Sequence, residues 1–194
     1  MGALDAALLA QEAYSAVPDI GKVDSASRAI IRHTDAGLVV AFPGSDNLEC
    51  WLADLDALTV DVPGVGPVHQ GFWNAWQAIE ADVLKAIDGQ LVTLVGHSLG
   101  AALSVCAAVS LTLAGTPPAA VYAFEAPRVS PSLGVRTLLR NVPVHVYKNG
   151  SDPVPDVPLG WNQSALVTHI GKPAMLVPIL ADHLIENVIR SLPG

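Results

Sequence analysis

The stretch Leu91–Ala102 reads LVTLVGHSLGAA. Its β-prone residues predict a buried strand, and the small residues after Ser98 predict a helix packed close to that strand. GHSLG matches the pattern G-x-S-x-G, in which a serine at a sharp strand-to-helix turn exposes its hydroxyl above a sheet. Gly96 and Gly100 are expected to be required, because a side chain at either position would strike the neighbouring strand or helix. This context predicts a nucleophilic Ser98, and the alternative is an ordinary serine at a helix N-terminus.

Strands and helices alternate around this stretch. Apolar runs predict strands at Arg28–His33, Leu38–Gly44, Leu91–Gly96, Ala120–Ala126, Val142–Lys148 and Leu166–Gly171. Helical patterns occur at Phe72–Ile87, Ser98–Ala114 and Asp182–Leu192. Continuous apolar strands are typical of sheets covered on both faces, so the pattern predicts α/β layers around a mostly parallel central sheet. We expect residues 1–194 to form a single domain, because neither a repeat nor a linker divides the chain.

Composition argues against several classes of protein. Hydrophobic residues make up 51% of the chain and charged residues only 14%, which argues against a disordered chain. Gly, Pro, Asp or Lys interrupts every apolar segment before it reaches the roughly 18 residues of a membrane span, so we expect no stable membrane anchor. A formal charge of −8 opposes binding to nucleic acid. The N-terminal segment lacks the basic region of a secretory signal, which predicts a cytoplasmic protein, or a secreted one whose leader has been removed.

Metal and redox chemistry find no support in the sequence. The two cysteines are not arranged as C-x-x-C, and the six histidines show no paired spacing. We therefore expect no metal and no cofactor, and we expect Cys106 to be a reduced thiol buried in a helix.

A serine nucleophile requires a histidine that accepts its proton and an acid that orients the histidine. In this arrangement the acid and then the histidine follow the serine along the chain. Asp152 is the favoured acid because it lies in a Gly- and Pro-containing loop directly after a predicted strand. His183 is the favoured base because it begins the last helix, and His169 is its main rival. The remaining candidates are expected to be surface or structural residues: Asp156, Asp182, as a helix cap, and His145.

Acyl transfer also needs hydrogen-bond donors for the oxyanion. One is the backbone N–H of Leu99, which follows the nucleophile. The segment FPGSD (42–46) offers the second at Ser45, through its N–H or its hydroxyl. The alternative for Ser45 is a cap for the segment that follows.

The ordered motifs resemble those of the class 3 lipase family, the α/β-hydrolases typified by fungal triacylglycerol lipases. The motifs are FPGSDNLECWLADL, VHQGFWNAW, LVGHSLGAAL, AFEAPRVS, NGSDPVPDVP and ADHLIENVI. The resemblance implies an α/β-hydrolase fold with the triad Ser98, Asp152 and His183. It also implies an oxyanion hole formed by Ser45 and Leu99.

The resemblance further implies a short lid helix over residues 48–55. Trp51 and Leu52 would cover the apolar side of the site, and the alternative for Trp51 is a core position. The two motif histidines His69 and His97 are expected to be structural. Two departures from the family pattern are Pro43, where a basic residue is common, and Glu125, where a glycine is usual.

These observations predict a serine carboxylic-ester hydrolase that acts on lipid or other acyl esters through an acyl-enzyme intermediate. A triacylglycerol lipase or an esterase is the leading interpretation, and a phospholipase or a feruloyl-type esterase is an alternative. An alternative from another class is a catalytically silent binding module on a hydrolase scaffold. The expected partner is an acyl ester, free in solution or at a lipid–water interface.

Overall fold

The computed structural model describes residues 1–45, 57–172 and 181–193. Seven strands in these ranges form one sheet: β1 (Ile20–Gly21), β2 (Arg28–Thr34), β3 (Gly37–Phe42), β6 (Val92–His97), β7 (Ala120–Phe124), β8 (Val144–Asn149) and β9 (Val167–Ile170). They are arranged in chain order across the sheet. The β1–β2 and β2–β3 pairs are antiparallel, and every pair from β3 to β9 is parallel. A separate hairpin pairs β4 (Thr59–Val62) with β5 (Gly66–His69).

The described helices are α1 (Ala3–Ser15), α2 (Gln70–Ile87), α3 (Leu99–Leu113), α4 (Gly134–Leu138) and α5 (Ile185–Ser191). Short 3₁₀ turns occupy Leu139–Asn141 and Val154–Asp156. None of the helices in the described ranges is long and apolar enough to cross a membrane.

Helices cover both faces of the sheet. On β3, alternate residues such as Val40 and Phe42 face a core shared with α2 and α3, whereas Val39 and Ala41 face a core shared with α1 and α5. Because successive side chains of a strand point to opposite faces, a strand covered twice must be apolar throughout. The prediction of a mostly parallel sheet between helical layers is confirmed, and the architecture is that of an α/β-hydrolase.

Every predicted strand forms, with ends shifted by a few residues. Helix α1, strand β1 and the β4–β5 hairpin are additions to the predicted elements. The last helix is shorter than predicted: it begins at Ile185, and Leu184 rather than Asp182 is its N-cap residue. Cys106 is buried within α3 and forms no disulfide, as expected. Burial raises the pKa of its thiol above the ordinary value.

Candidate active site

Ser98 is the single residue between the end of β6 and the start of α3, and its backbone has φ 56° and ψ −125°. This left-handed backbone is strained for a residue with a Cβ. A Cβ at Gly96 would overlap the carbonyl oxygen of Gly100, and a Cβ at Gly100 would overlap the carbonyl oxygen of Phe42 on β3. The prediction that both glycines permit close packing of strand, turn and helix is confirmed.

The Ser98 side chain is 1% exposed, and its Oγ has no hydrogen-bond partner among the described residues. Ser98 stands at the N-cap position of α3, but its side chain makes no capping hydrogen bond to that helix. The predicted oxyanion loop passes directly over it, because a Cβ at Gly44 would come within 2.9 Å of the Ser98 Cβ. Leu99 is the first residue of α3, where backbone N–H groups have no acceptor within the helix.

Asp152 and His183 form a buried pair. Nδ1 of His183 lies 2.6 Å from Oδ2 of Asp152, and the two residues are 4% and 0% exposed. A carboxylate only accepts, so Nδ1 carries the proton and Nε2 is the acceptor nitrogen of the neutral ring. This is the tautomer that a general base next to a serine requires.

The Asp152 carboxyl is kept ionised by its neighbours. Burial is the largest single influence on its pKa and acts to raise it. Hydrogen bonds from His183 and Glu125, together with the Val154 N–H that lies 3.0 Å from Oδ1, outweigh burial and hold the pKa of Asp152 below its ordinary value. A buried negative charge is therefore available to the imidazole.

Two hydrogen bonds fasten the segment that carries His183 to the loop that carries Asp152. The Asn149 side chain donates to the carbonyl oxygen of Asp182 at 2.9 Å, and the Ser151 N–H donates to the Asp182 carboxylate at 2.9 Å. Asp182 therefore joins the acid and histidine segments instead of capping the last helix.

His97, which precedes Ser98, contacts His183 from a second direction. His97 Nε2 lies 2.7 Å from the carbonyl oxygen of His183, so Nε2 must be the donor. Its Nδ1 is then an acceptor, and the Tyr14 hydroxyl donates to it at 2.6 Å. Burial above all, followed by the nearby His183, lowers the pKa of His97 to about 3, which keeps the ring neutral. His97 and Tyr14 thus link helix α1 to the segment that carries His183.

The rival candidates lie in other environments. Asp156 forms ion pairs with Lys148 and Arg128 at its partly exposed carboxylate. His169 is exposed on β9. His145 is also exposed, stacked on the Tyr122 ring, although its apolar strand predicted a structural imidazole.

Glu125 completes a cluster that the sequence did not predict. Its side chain is buried, and one potential ligand atom from each of Glu125, Asp152 and His183 lies within 4.8 Å of the others. The Nδ1–H of His183 is used by Asp152, and Oε1 of Glu125 accepts the backbone N–H of Asn149 at 2.6 Å. Because the His183 nitrogen and one Glu125 oxygen already take part in hydrogen bonds, the donor set fits a hydrogen-bond network better than a metal site.

A cavity of about 630 Å³ opens beside the pair, between α1 and α5. Ser45, His97 and His183 line one side, and apolar side chains such as Leu8 and Ile185 line another. The predicted oxyanion residue Ser45 thus lines the same cavity as His183. Trp51 and Leu52, the predicted lid residues, lie outside the described residues, as does the segment that Ser45 was alternatively expected to cap.

The family model described as lipase (class 3) matches residues 39–161, a span that includes the serine turn and Asp152. The chain belongs to the class 3 lipase family. Secreted mono- and diacylglycerol lipase A of Penicillium cyclopium is 31% identical over 146 residues, which cover 70% of this chain and 48% of that protein. This chain therefore spans about half the length of that curated relative.

Solved lipase structures share the fold. A mutant form of MDLA from Penicillium cyclopium superposes with a TM-score of 0.70 at 24% identity, covering 93% of this chain and 81% of that one. A triacylglycerol lipase, whose catalytic centre is described as a serine protease triad, superposes with a TM-score of 0.68 at 22% identity. That match covers 87% of this chain and 78% of the other.

Proposed function

We propose that this chain is a serine carboxylic-ester hydrolase that works through an acyl-enzyme intermediate. The observation that carries the proposal is the buried hydrogen bond from His183 to Asp152, together with a serine held in a strained strand-to-helix turn. The residue before that serine, His97, donates to the His183 carbonyl oxygen. Membership of the class 3 lipase family supports it, as does the triad described for the triacylglycerol lipase of the same fold.

In this mechanism Oγ of Ser98 attacks the ester carbonyl carbon while Nε2 of His183 takes the hydroxyl proton. Asp152 holds the ring in the required tautomer and stabilises the imidazolium that forms. The alcohol leaves with the proton from His183. Water then attacks the acyl-enzyme with the same histidine as base, which releases the acid and restores Ser98.

We expect the hydrogen bond between Ser98 and His183 to form when substrate binds. Oγ of Ser98 has no partner among the described residues, and hydrogen bonds in catalytic sites often tighten only when substrate is bound. The oxyanion would be bound by the Leu99 N–H at the positive end of α3 and by Ser45. Loss of one such donor typically lowers the rate by about 10²-fold to 10³-fold.

We propose acyl esters of glycerol as the substrate class, handled by a lipase or an esterase. Support comes from the partly apolar cavity beside His183 and from the acylglycerol substrates named for the relatives. A panel of mono-, di- and triacylglycerols separates the two activities. A rise in rate as substrate passes its solubility limit would support a lid that contains Trp51 and Leu52.

The decisive experiment measures hydrolysis of p-nitrophenyl esters from acetate to palmitate, with fluorophosphonate labelling in parallel. Ser98→Ala is expected to abolish both turnover and labelling, and His183→Ala to cut turnover by orders of magnitude. The matched controls are Ser104→Ala, at a buried serine in α3, the helix that follows Ser98, and His169→Ala; both should retain activity. A wild-type protein that neither turns over nor labels would favour the catalytically silent binding module.

We also propose that residues 1–194 act as one unit and that the protein is exported. Helices from both ends of the chain share a core beneath the sheet, which supports a single domain. The curated relatives are named as secreted, which supports export. A single cooperative unfolding transition and recovery of the protein from culture medium are the corresponding tests.

A further inference from the structure

Glu125 follows β7 directly, and both its backbone conformation and the burial of its side chain are energetically unfavourable. Its backbone φ is 51°, in the left-handed region that disfavours residues with a Cβ, and its side chain is 0% exposed. The preceding residue, Phe124, accepts the Ser98 backbone N–H at 2.9 Å. Glu125 is thus a strained, ionisable and buried residue. It is the immediate neighbour of Phe124, which contacts the proposed nucleophile directly. Strain of this kind is concentrated at functional sites.

The Glu125 carboxyl accepts a hydrogen bond from one N–H group. Oε1 accepts the backbone N–H of Asn149 at 2.6 Å, whereas Oε2 is buried and receives no N–H or hydroxyl from the described residues. The Asp152 carboxyl lies beside it, with one of its oxygens within 4.8 Å of a Glu125 oxygen. Two carboxyl groups buried this close together are stabilised when one of them keeps its proton and donates it to the other.

The distribution of donors assigns that proton to Glu125. Asp152 already accepts N–H groups from His183 and Val154, so its ionised form is the better stabilised. Burial above all, followed by the hydrogen bond and charge of Asp152, raises the pKa of Glu125 to about 11. A proton on Oε2 also explains why this buried oxygen receives no other hydrogen.

We propose that Glu125 is a positioning residue of the hydrolytic site: as a neutral acid it donates a hydrogen bond from Oε2 to the Asp152 carboxylate and so keeps Asp152 aligned with His183. This inference rests on the proposed function of the Ser98 site. Glu125 is anchored to the β8 backbone through Asn149, so it adds a third donor that fixes the rotation of the Asp152 side chain. It acts through Asp152, and its loss should therefore lower kcat and leave KM nearly unchanged.

Two variants of similar size separate hydrogen bonding from space filling. Glu125→Gln retains both contacts, because its amide oxygen can accept from Asn149 and its NH₂ can donate to Asp152. Glu125→Leu fills the space and donates nothing. We expect Glu125→Gln to stay within about threefold of the wild-type kcat and Glu125→Leu to fall at least about tenfold at unchanged KM. Wild-type kcat in Glu125→Leu, or equal losses in both variants, would overturn the proposal.

A second measurement does not depend on turnover or on the folding of Glu125→Leu. The ¹³C resonance of the Glu125 carboxyl, assigned by its absence from Glu125→Gln, is expected to be that of a neutral acid throughout about pH 6 to 9. The His183 Nδ1–H proton, assigned with His183→Ala, is expected at the same downfield position in wild type and Glu125→Gln. An ionised Glu125 in this range overturns the inference, even in an active enzyme. A neutral Glu125 in a protein without esterase activity would instead count against the proposed function alone.

Discussion

His183 donates its Nδ1–H to Asp152 across 2.6 Å, and this hydrogen bond joins residues 31 positions apart in the chain. The bond fixes both the orientation of the imidazole and the nitrogen that carries its proton. Since the acid is wholly buried, water does not compete for the contact. The pair therefore behaves as one unit, and the predictions below start from it.

Asp152→Asn should abolish most of the activity while leaving the fold intact. An asparagine side chain can present an N–H to His183 where the carboxylate presents an acceptor, which favours the tautomer with its proton on Nε2. A ring in that tautomer cannot accept the serine proton. We expect kcat to fall by about 10³-fold to 10⁴-fold, measured with a soluble p-nitrophenyl ester.

Asp156→Asn provides the matched control for that loss. Asp156 belongs to the same loop, but its partly exposed carboxylate pairs with Lys148 and Arg128. Asparagine keeps an oxygen that can accept from Lys148 and Arg128, so we expect a loss of about 1 to 3 kcal/mol in the free energy of unfolding and retained activity. Comparable losses in the two variants would show that the loop as a whole, and not the His183 contact, is responsible.

Tyr14→Phe should destabilise the protein and slow catalysis together. The change removes the hydroxyl that donates to Nδ1 of His97 and leaves a buried acceptor without a donor. We expect the free energy of unfolding to fall by about 1 to 3 kcal/mol, measured by urea titration, with a reduced kcat because His97 holds the His183 backbone. Tyr122→Phe loses a hydroxyl that donates to the Met1 carbonyl oxygen, away from the site, and should leave kcat unchanged. Equal kcat values in the two variants would contradict the supporting role of His97.

The parts of the site that have a local signature could be predicted from the sequence. An apolar run, a G-x-S-x-G turn and small residues specify strand, turn and helix together, and the structure places Ser98 between them. Asp152 follows a strand that the apolar pattern also predicts. The structure joins Asp152 to His183 as their order in the chain suggests, and their catalytic roles stay proposals until they are measured.

The remaining contacts depend on residues that only the folded chain brings together. Tyr14 and His97 are 83 positions apart, and α1 packs on the sheet mainly through alanines, which give a weak amphipathic signal. In the sequence, Glu125 differs from its surroundings only as a departure from the glycine that is usual in the family. Its positive φ accounts for that glycine, but its proton and its partner Asp152 are consequences of burial, which local sequence does not reveal.

Gly100→Ala should test the close approach of α3 to the sheet. The new Cβ would overlap the carbonyl oxygen of Phe42, which belongs to a backbone that cannot move without disturbing β3. We expect a loss of about 3 kcal/mol in the free energy of unfolding, measured by urea titration. Gly115→Ala is the control: its Cβ would meet open space, and only its positive φ opposes the change, at about 1 kcal/mol. Similar losses in the two variants would mean that helix and strand are free to move apart.

Glu125→Gln should change how stability depends on pH. The pKa of Glu125 rises from an ordinary 4.5 to about 11 on folding, so between these values the folded chain binds one more proton than the unfolded chain. The contribution of Glu125 to the free energy of unfolding therefore decreases as pH rises, by up to about 1.4 kcal/mol per pH unit. Glutamine has no such proton, and the neighbouring Asp152 and Lys148 are present in both proteins. Urea titrations at about pH 6, 7 and 8 should show Glu125→Gln gaining stability relative to wild type at each step. A constant difference would mean that Glu125 is already ionised in the folded protein.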